Sequence, residues 1–127
     1  MGDPILPTGR TISRMPTPLA ERRCEACGPD TPTLSRDRAQ QLLGQIRGWE
    51  MTEIKGRAYL TKTFRYKGFI PGVELVDKIA QLAEEEGHHP DLHLSYGSLR
   101  VDLTTHAAGG LTDNDFILAA KIDRIQP

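Results

Sequence analysis

No stretch of this chain approaches the ~18–20 consecutive apolar residues that a bilayer-spanning helix requires. That argues against a helical membrane protein. An excess of either charge is equally lacking, because 16 Lys and Arg face 17 Asp and Glu for a net charge of −1. With no broad basic field to neutralise phosphates, nucleic acid is not expected as a direct partner. Cysteine is scarce: two residues do not make a disulfide scaffold, and a reducing cytoplasm is the expected setting. The first residues also carry neither the basic start nor the apolar stretch of a secretory signal. A length of 127 residues suits one domain that buries its core without staples.

Proline is concentrated at one end, at Pro4, Pro7, Pro16, Pro18, Pro29 and Pro32. A segment so poor in periodic apolar residues cannot offset its ordering entropy by burial, so residues 1–34 read as a flexible tail and 35–127 as the folded domain. Met15 is a candidate natural start within that tail. Cys24-Glu25-Ala26-Cys27 could be half of a zinc knuckle or a redox pair. The chain has no second Cys-x-x-Cys and the flanks are not a strand–helix unit, so reduced, weakly structured thiols are expected.

From Ser35 onward the periodicity changes. Ser35 is a good N-cap, and Ala39, Leu42, Leu43 and Ile46 repeat at helical spacing until Gly48. Met51 and Ile54 then alternate as in a strand, a turn falls at Lys55-Gly56, and Tyr59–Tyr66 alternates again. Pro71 opens a helix striped by Val76, Ile79, Ala80, Leu82 and Ala83 and closed by Gly87. Leu92, Leu94 and Tyr96 share one face of a third strand. After a turn at Gly97-Ser98, Leu99, Val101, Leu103 and Thr105 share one face of a fourth. Thr112-Asp113-Asn114-Asp115 resembles a capping box for a last helix to about Ile125. The expected fold is α+β: a four-stranded antiparallel sheet with three helices on one face, in the order α-β-β-α-β-β-α.

The chemistry concentrates in Glu84-Glu85-Glu86-Gly87-His88-His89-Pro90 and in His106. Imidazole titrates nearest neutrality, which suits it to donate and accept protons. Glu85 and Glu86 read as a solvated acidic face. Glu84 lies one helical turn before His88 and could orient that ring if the helical path continues through the cap. The doublet alone reads equally well as an exposed loop ending a helix. His106 decides between these readings, because Arg100, Asp102, Thr104 and His106 lie on the strand face opposite the apolar stripe. Antiparallel pairing of the last two strands brings His106 beside the doublet. Adjacent histidines are a poor chelating pair, so the spacing argues against a zinc site.

These residues resemble a known family. Glu84-x-x-x-His88-His89-Pro90, then Tyr96, His106 and Asp115, is similar to the signature of the pterin-4a-carbinolamine dehydratases. Gly48-Trp49, Phe64-Arg65-Tyr66-Lys67-Gly68-Phe69 and Gly110-Leu111-Thr112 add to the likeness, which spans about Leu34 to Ile125. The Cys-x-x-Cys and the Pro-rich lead look like those of bacterial members. The resemblance implies dehydration of 4a-hydroxytetrahydrobiopterin to quinonoid dihydropterin, in support of aromatic amino-acid hydroxylases, with no metal and no organic cofactor. It implies that His88 and His106 exchange acid and base roles, with His89 on the ring and Glu84 orienting His88. Pro90, Thr105 and Ala107 would give backbone or shape contacts to the pterin, and Trp49 would pack near the site or in the core. The chain departs from some members at Gly87, Leu92 and Asn114, which bears on substrate contacts. A homodimer or homotetramer is implied, and the open sheet edges need cover. The same family also implies a competing role, as a dimerisation cofactor for a transcription factor or as a carboxylase assembly factor; the bacterial relatives that resemble assembly factors have lost the histidines, whereas all three stand here.

Overall fold

The computed structural model describes residues 17–125. The expected flexibility of residues 1–16 and the proposed start at Met15 lie outside the described residues. The elements run α1 (Arg36–Leu43), β1 (Glu50–Ile54), β2 (Arg57–Arg65), α2 (Ile70–Glu86), β3 (Asp91–Ser95), β4 (Ser98–Leu103) and α3 (Asp113–Ile125). The sheet is antiparallel throughout, in the order β1-β2-β4-β3. This is the expected α+β architecture and element order.

Turn chemistry sets the boundaries. Ser35 accepts from the Arg38 N–H and starts α1. The helix closes at Gly44, earlier than the apolar spacing predicts, because its end tightens into the shorter bonds Gln45 N–H to Leu42 and Ile46 N–H to Leu43. Ile46 is buried even so. Lys55 and Gly56 both take positive φ, which suits the two-residue turn between β1 and β2. The second hairpin turns at Tyr96-Gly97, one residue earlier than expected, because Ser95 pairs with Ser98. Tyr96 is accordingly exposed and does not share the Leu92–Leu94 face.

One face of the sheet carries the core. Register places Leu60 opposite Leu103 and Phe64 opposite Leu99. These side chains and Val101 pack with Leu42 of α1, Leu75 and Ile79 of α2, and Phe116, Ile117 and Ile122 of α3. Burying each such side chain contributes about 1.5–3 kcal/mol relative to exposure. Trp49 belongs to this core: its indole N–H donates to both Asp123 carboxylate oxygens, and its ring meets Phe64 edge-on.

Residues 17–34 correct the expected tail. Leu19 opens a short 3₁₀ turn and joins the core at 5% exposure. Arg22 pairs with Asp113 at 3.0 Å, and the Leu34 N–H donates to the Leu111 carbonyl. The segment is held by a single buried leucine and by polar side chains of α2 and α3 that satisfy its backbone. Neither leaves a periodic trace in the sequence.

Candidate active site

The exit from α2 separates the two adjacent histidines. Gly87 adopts the left-handed conformation, φ +66°, and closes the helix with its N–H on the Ala83 carbonyl. The chain turns there, so that His88 is 9% exposed while His89 stands largely in solvent. The same turn corrects the expected role of Glu84. Its carboxylate pairs with His89 Nε2, and both partners are exposed. The helical path that would have brought Glu84 to His88 ends at Gly87.

His88 is held by Asp115. Nε2 lies 2.6 Å from Asp115 Oδ1, and Asp115 is 0% exposed. The other carboxylate oxygen accepts from the Thr112 N–H at 3.0 Å and from the Thr105 hydroxyl at 2.8 Å. Thr112 Oγ1 in turn accepts from the Asn114 N–H. Thr112 and Asp115 thus cap α3 much as the sequence leads one to expect, Asp115 reaching back to the Thr112 N–H while Thr112 Oγ1 takes the Asn114 N–H and not that of Asp115, with the acidic group at the positive end of the helix. A carboxylate only accepts, so His88 Nε2 carries the hydrogen. His88 Nδ1 has no protein partner among the described residues.

His106 arrives from the opposite side. Asp91 pairs with Asp102, so the end of β4 lies beside the start of β3, as the antiparallel reading requires. Past β4 the chain turns between Thr105 and Gly110, which form an isolated bridge. The turn leaves His106 exposed, edge-on to Tyr59, with Nδ1 2.6 Å from Arg57 Nη1. Guanidinium has no acceptor and does not deprotonate, so His106 Nδ1 accepts and the ring hydrogen sits on Nε2.

These side chains surround one cavity of about 230 Å³, lined by Gly87, His88, His89, Thr104, Thr105, His106, Ala107, Glu25, Cys27 and Asn114. Five of the six expected site residues besides Glu84 line it; Pro90 does not. Thr105 contributes from a buried position, its hydroxyl spent on Asp115 and Thr112. Among the described residues, no three His, Cys, Asp or Glu side chains converge as metal ligands. Trp49 is not at this cavity.

Sequence reasoning missed several participants. Asp115 stands in the sequence as part of a signature and a cap, but its hold on His88 depends on the fold bringing the start of α3 to the end of α2. Arg57 gave no signal, because its link to His106 crosses the β2–β4 pair. Cys27 lies within the expected tail and instead lines the cavity. Glu86 is not a solvated acid: its side chain is 4% exposed, accepts the Cys24 N–H at 2.8 Å, and pairs with Arg23 and Lys121. Burial works against its charge, but the Cys24 N–H and the two cations outweigh it and hold the carboxyl below its usual range. The Cys24 thiol is pushed up to about 12 by burial, reinforced by Glu86 and Asp115, and stays protonated.

The family model for Pterin 4 alpha carbinolamine dehydratase matches residues 32–125. The mitochondrial pterin-4-alpha-carbinolamine dehydratase 2 of Arabidopsis thaliana is 40% identical over 110 residues, which cover 85% of this chain and 59% of that protein. Relatives from Saccharophagus degradans and Gloeobacter violaceus, both named for the same dehydratase, are 40% and 41% identical. They are covered over 96% and 92% of their lengths, with 86% and 84% of this chain. Among solved structures, a transcriptional coactivator/pterin dehydratase from Brucella melitensis superposes with a TM-score of 0.68 at 28% identity, covering 75% of this chain and 99% of that one. A pterin dehydratase-like RuBisCO assembly factor of the alpha-carboxysome shares the fold, with a TM-score of 0.52 at 22% identity over 61% of this chain and 88% of its own.

Proposed function

The chain belongs to the pterin-4-alpha-carbinolamine dehydratase family, and from that premise we propose that it dehydrates 4a-hydroxytetrahydropterins by proton transfer through His88. The observation that carries this reading is the His88–Asp115 pair at the wall of the cavity, with His106 opposite. The reaction breaks the C4a–O bond and the N5–H bond, forms the C4a=N5 double bond, and releases water. His88 Nδ1 takes the proton from N5, and the electron pair of the N5–H bond closes the new double bond. Asp115 faces the imidazolium that forms and supports its charge. The hydroxyl is on the carbon next to N5, so the same imidazolium returns the proton to the departing oxygen. No proton is gained or lost in the cycle.

His106 acts on the leaving group. With Nδ1 occupied by Arg57, its Nε2–H donates to the C4a hydroxyl and stabilises charge developing there as the C–O bond lengthens. His89 and Ala107 supply contact surface to the ring. No metal and no organic cofactor enter these steps. The product serves the return of a tetrahydropterin to aromatic amino-acid hydroxylases. Self-association into a homo-oligomer is supported by exposed Phe69, Ile70 and Val73 at the start of α2 and by the place of β3 at an edge of the sheet.

Rapid-mixing assay of freshly generated 4a-hydroxytetrahydrobiopterin tests the reading. Wild type should accelerate dehydration above buffer. A rate equal to buffer favours the competing role, a non-catalytic assembly or dimerisation protein on the same fold.

A further inference from the structure

Three sides of the histidine cavity come from the α2 exit, the β4 end and the turn after it; the remaining side is the segment around Cys24–Cys27. Asn114, 5% exposed, spends its side-chain amide on that segment. Oδ1 accepts the Glu25 N–H at 2.9 Å, while Nδ2 donates to the Glu25 carbonyl at 2.6 Å and to Cys27 Sγ at 3.2 Å. A second anchor lies one residue earlier, where Glu86 accepts the Cys24 N–H, and the Cys24 thiol donates to the Asn114 carbonyl. Successive residues of α3 therefore have divided duties: Asn114 holds the segment and Asp115 holds His88.

We propose that Cys27 is a substrate-contacting residue of the pterin site and that Asn114 is the positioning residue that presents it. This rests on the dehydratase reading and extends it to the segment before the domain. The Cys27 side chain is half-buried against the cavity and offers a small polarizable surface suited to a flat heterocycle. Its two neighbours fix it from behind: the Asn114 amide donates to the sulfur, and the thiol points to the Glu25 carbonyl at 3.6 Å. Held in this way, Cys27 lines the cavity and, among the described residues, makes no hydrogen bond to His88 or His106. Its contribution is to retention of substrate and not to the proton steps.

Alkylation of the full chain with iodoacetamide at pH 8, read by peptide mass spectrometry, tests this. Cys27 should label and Cys24 should not. 7,8-Dihydrobiopterin, added at about ten times the Kd measured by calorimetry, should slow Cys27 labelling about tenfold. If dehydration is seen and the pterin binds but Cys27 labels at an unchanged rate, the inference falls and the dehydratase reading stands. If the pterin does not bind and no dehydration occurs, both fall. Asn114→Ala should raise KM about tenfold, equivalent to about 1.4 kcal/mol, with kcat within about twofold. A matching loss in kcat would mean that the effect passes through Asp115 and would overturn the positioning role. If Asn114→Ala does not fold, Cys27→Leu carries the test: it should raise KM and leave kcat, and an unchanged KM overturns the proposal.

Discussion

Asp115 holds His88 with one carboxylate oxygen, Oδ1 to Nε2 at 2.6 Å, and caps its own helix with the other, Oδ2 to the Thr112 N–H at 3.0 Å. The same group that starts α3 thus fixes the orientation and tautomer of a ring just past the end of α2. Fold and chemistry meet in one buried side chain.

Asp115→Asn separates the two duties. The amide has the shape of the acid, but its NH₂ group must face a donor, either the His88 Nε2–H or the Thr105 and Thr112 groups. Stability should fall by about 1–3 kcal/mol, the cost of leaving a buried polar group unpaired. Denaturant unfolding measures it, and dehydration by the folded variant should slow by about 10²-fold or more with the base disoriented.

Glu84→Gln should do little. The Glu84–His89 pair is exposed on both sides, and such pairs contribute between zero and about 1 kcal/mol. Dehydration within about threefold of wild type is expected, since removing so weak a contact moves a barrier by less than that energy. A loss comparable to that of Asp115→Asn would mean that Glu84 reaches His88 during turnover.

Arg57→Met should release His106. In wild type the ¹⁵N shifts of the His106 ring should report a hydrogen on Nε2 and none on Nδ1. The variant should show mixed tautomers and a kcat lower by about tenfold, with Arg57→Lys restoring part of both, because one donated hydrogen bond is at stake.

Glu86 gives a pH dependence. Its carboxyl is held below the ordinary value of 4.5 in the folded protein, so its stabilising contribution is complete above that value and is lost as pH falls through the folded pKa. The Tm difference between wild type and Glu86→Gln should therefore be present at pH 6 and shrink below pH 4.5. A difference independent of pH would contradict the charged anchoring of the Cys24 segment.

Much of this was legible in the sequence, and the reason is periodicity. Leu99, Val101 and Leu103 alternate, Ile79 and Ala83 recur at helical spacing, and Ser35, Gly87 and Thr112 punctuate the helices, so the order and type of the elements from Ser35 onward could be read. Strand alternation also placed His106 beside the histidine doublet. What escaped was decided at single residues. The left-handed turn at Gly87 swung His88 inward and left Glu84 to His89. The segment 17–34 docks through Leu19, Asn114 and Glu86, contacts that join residues far apart in sequence and repeat nowhere.

The central claim, that His88 moves the proton and His106 assists the leaving hydroxyl, is tested most directly by rapid-mixing dehydration of 4a-hydroxytetrahydrobiopterin with wild type, His88→Ala and His106→Ala. Loss of about 10²–10⁴-fold in kcat is predicted for His88→Ala. His106→Ala should lose about 10²–10³-fold, the effect of removing a donor to developing negative charge. A wild-type rate equal to buffer, or a His88→Ala rate equal to wild type, would contradict it.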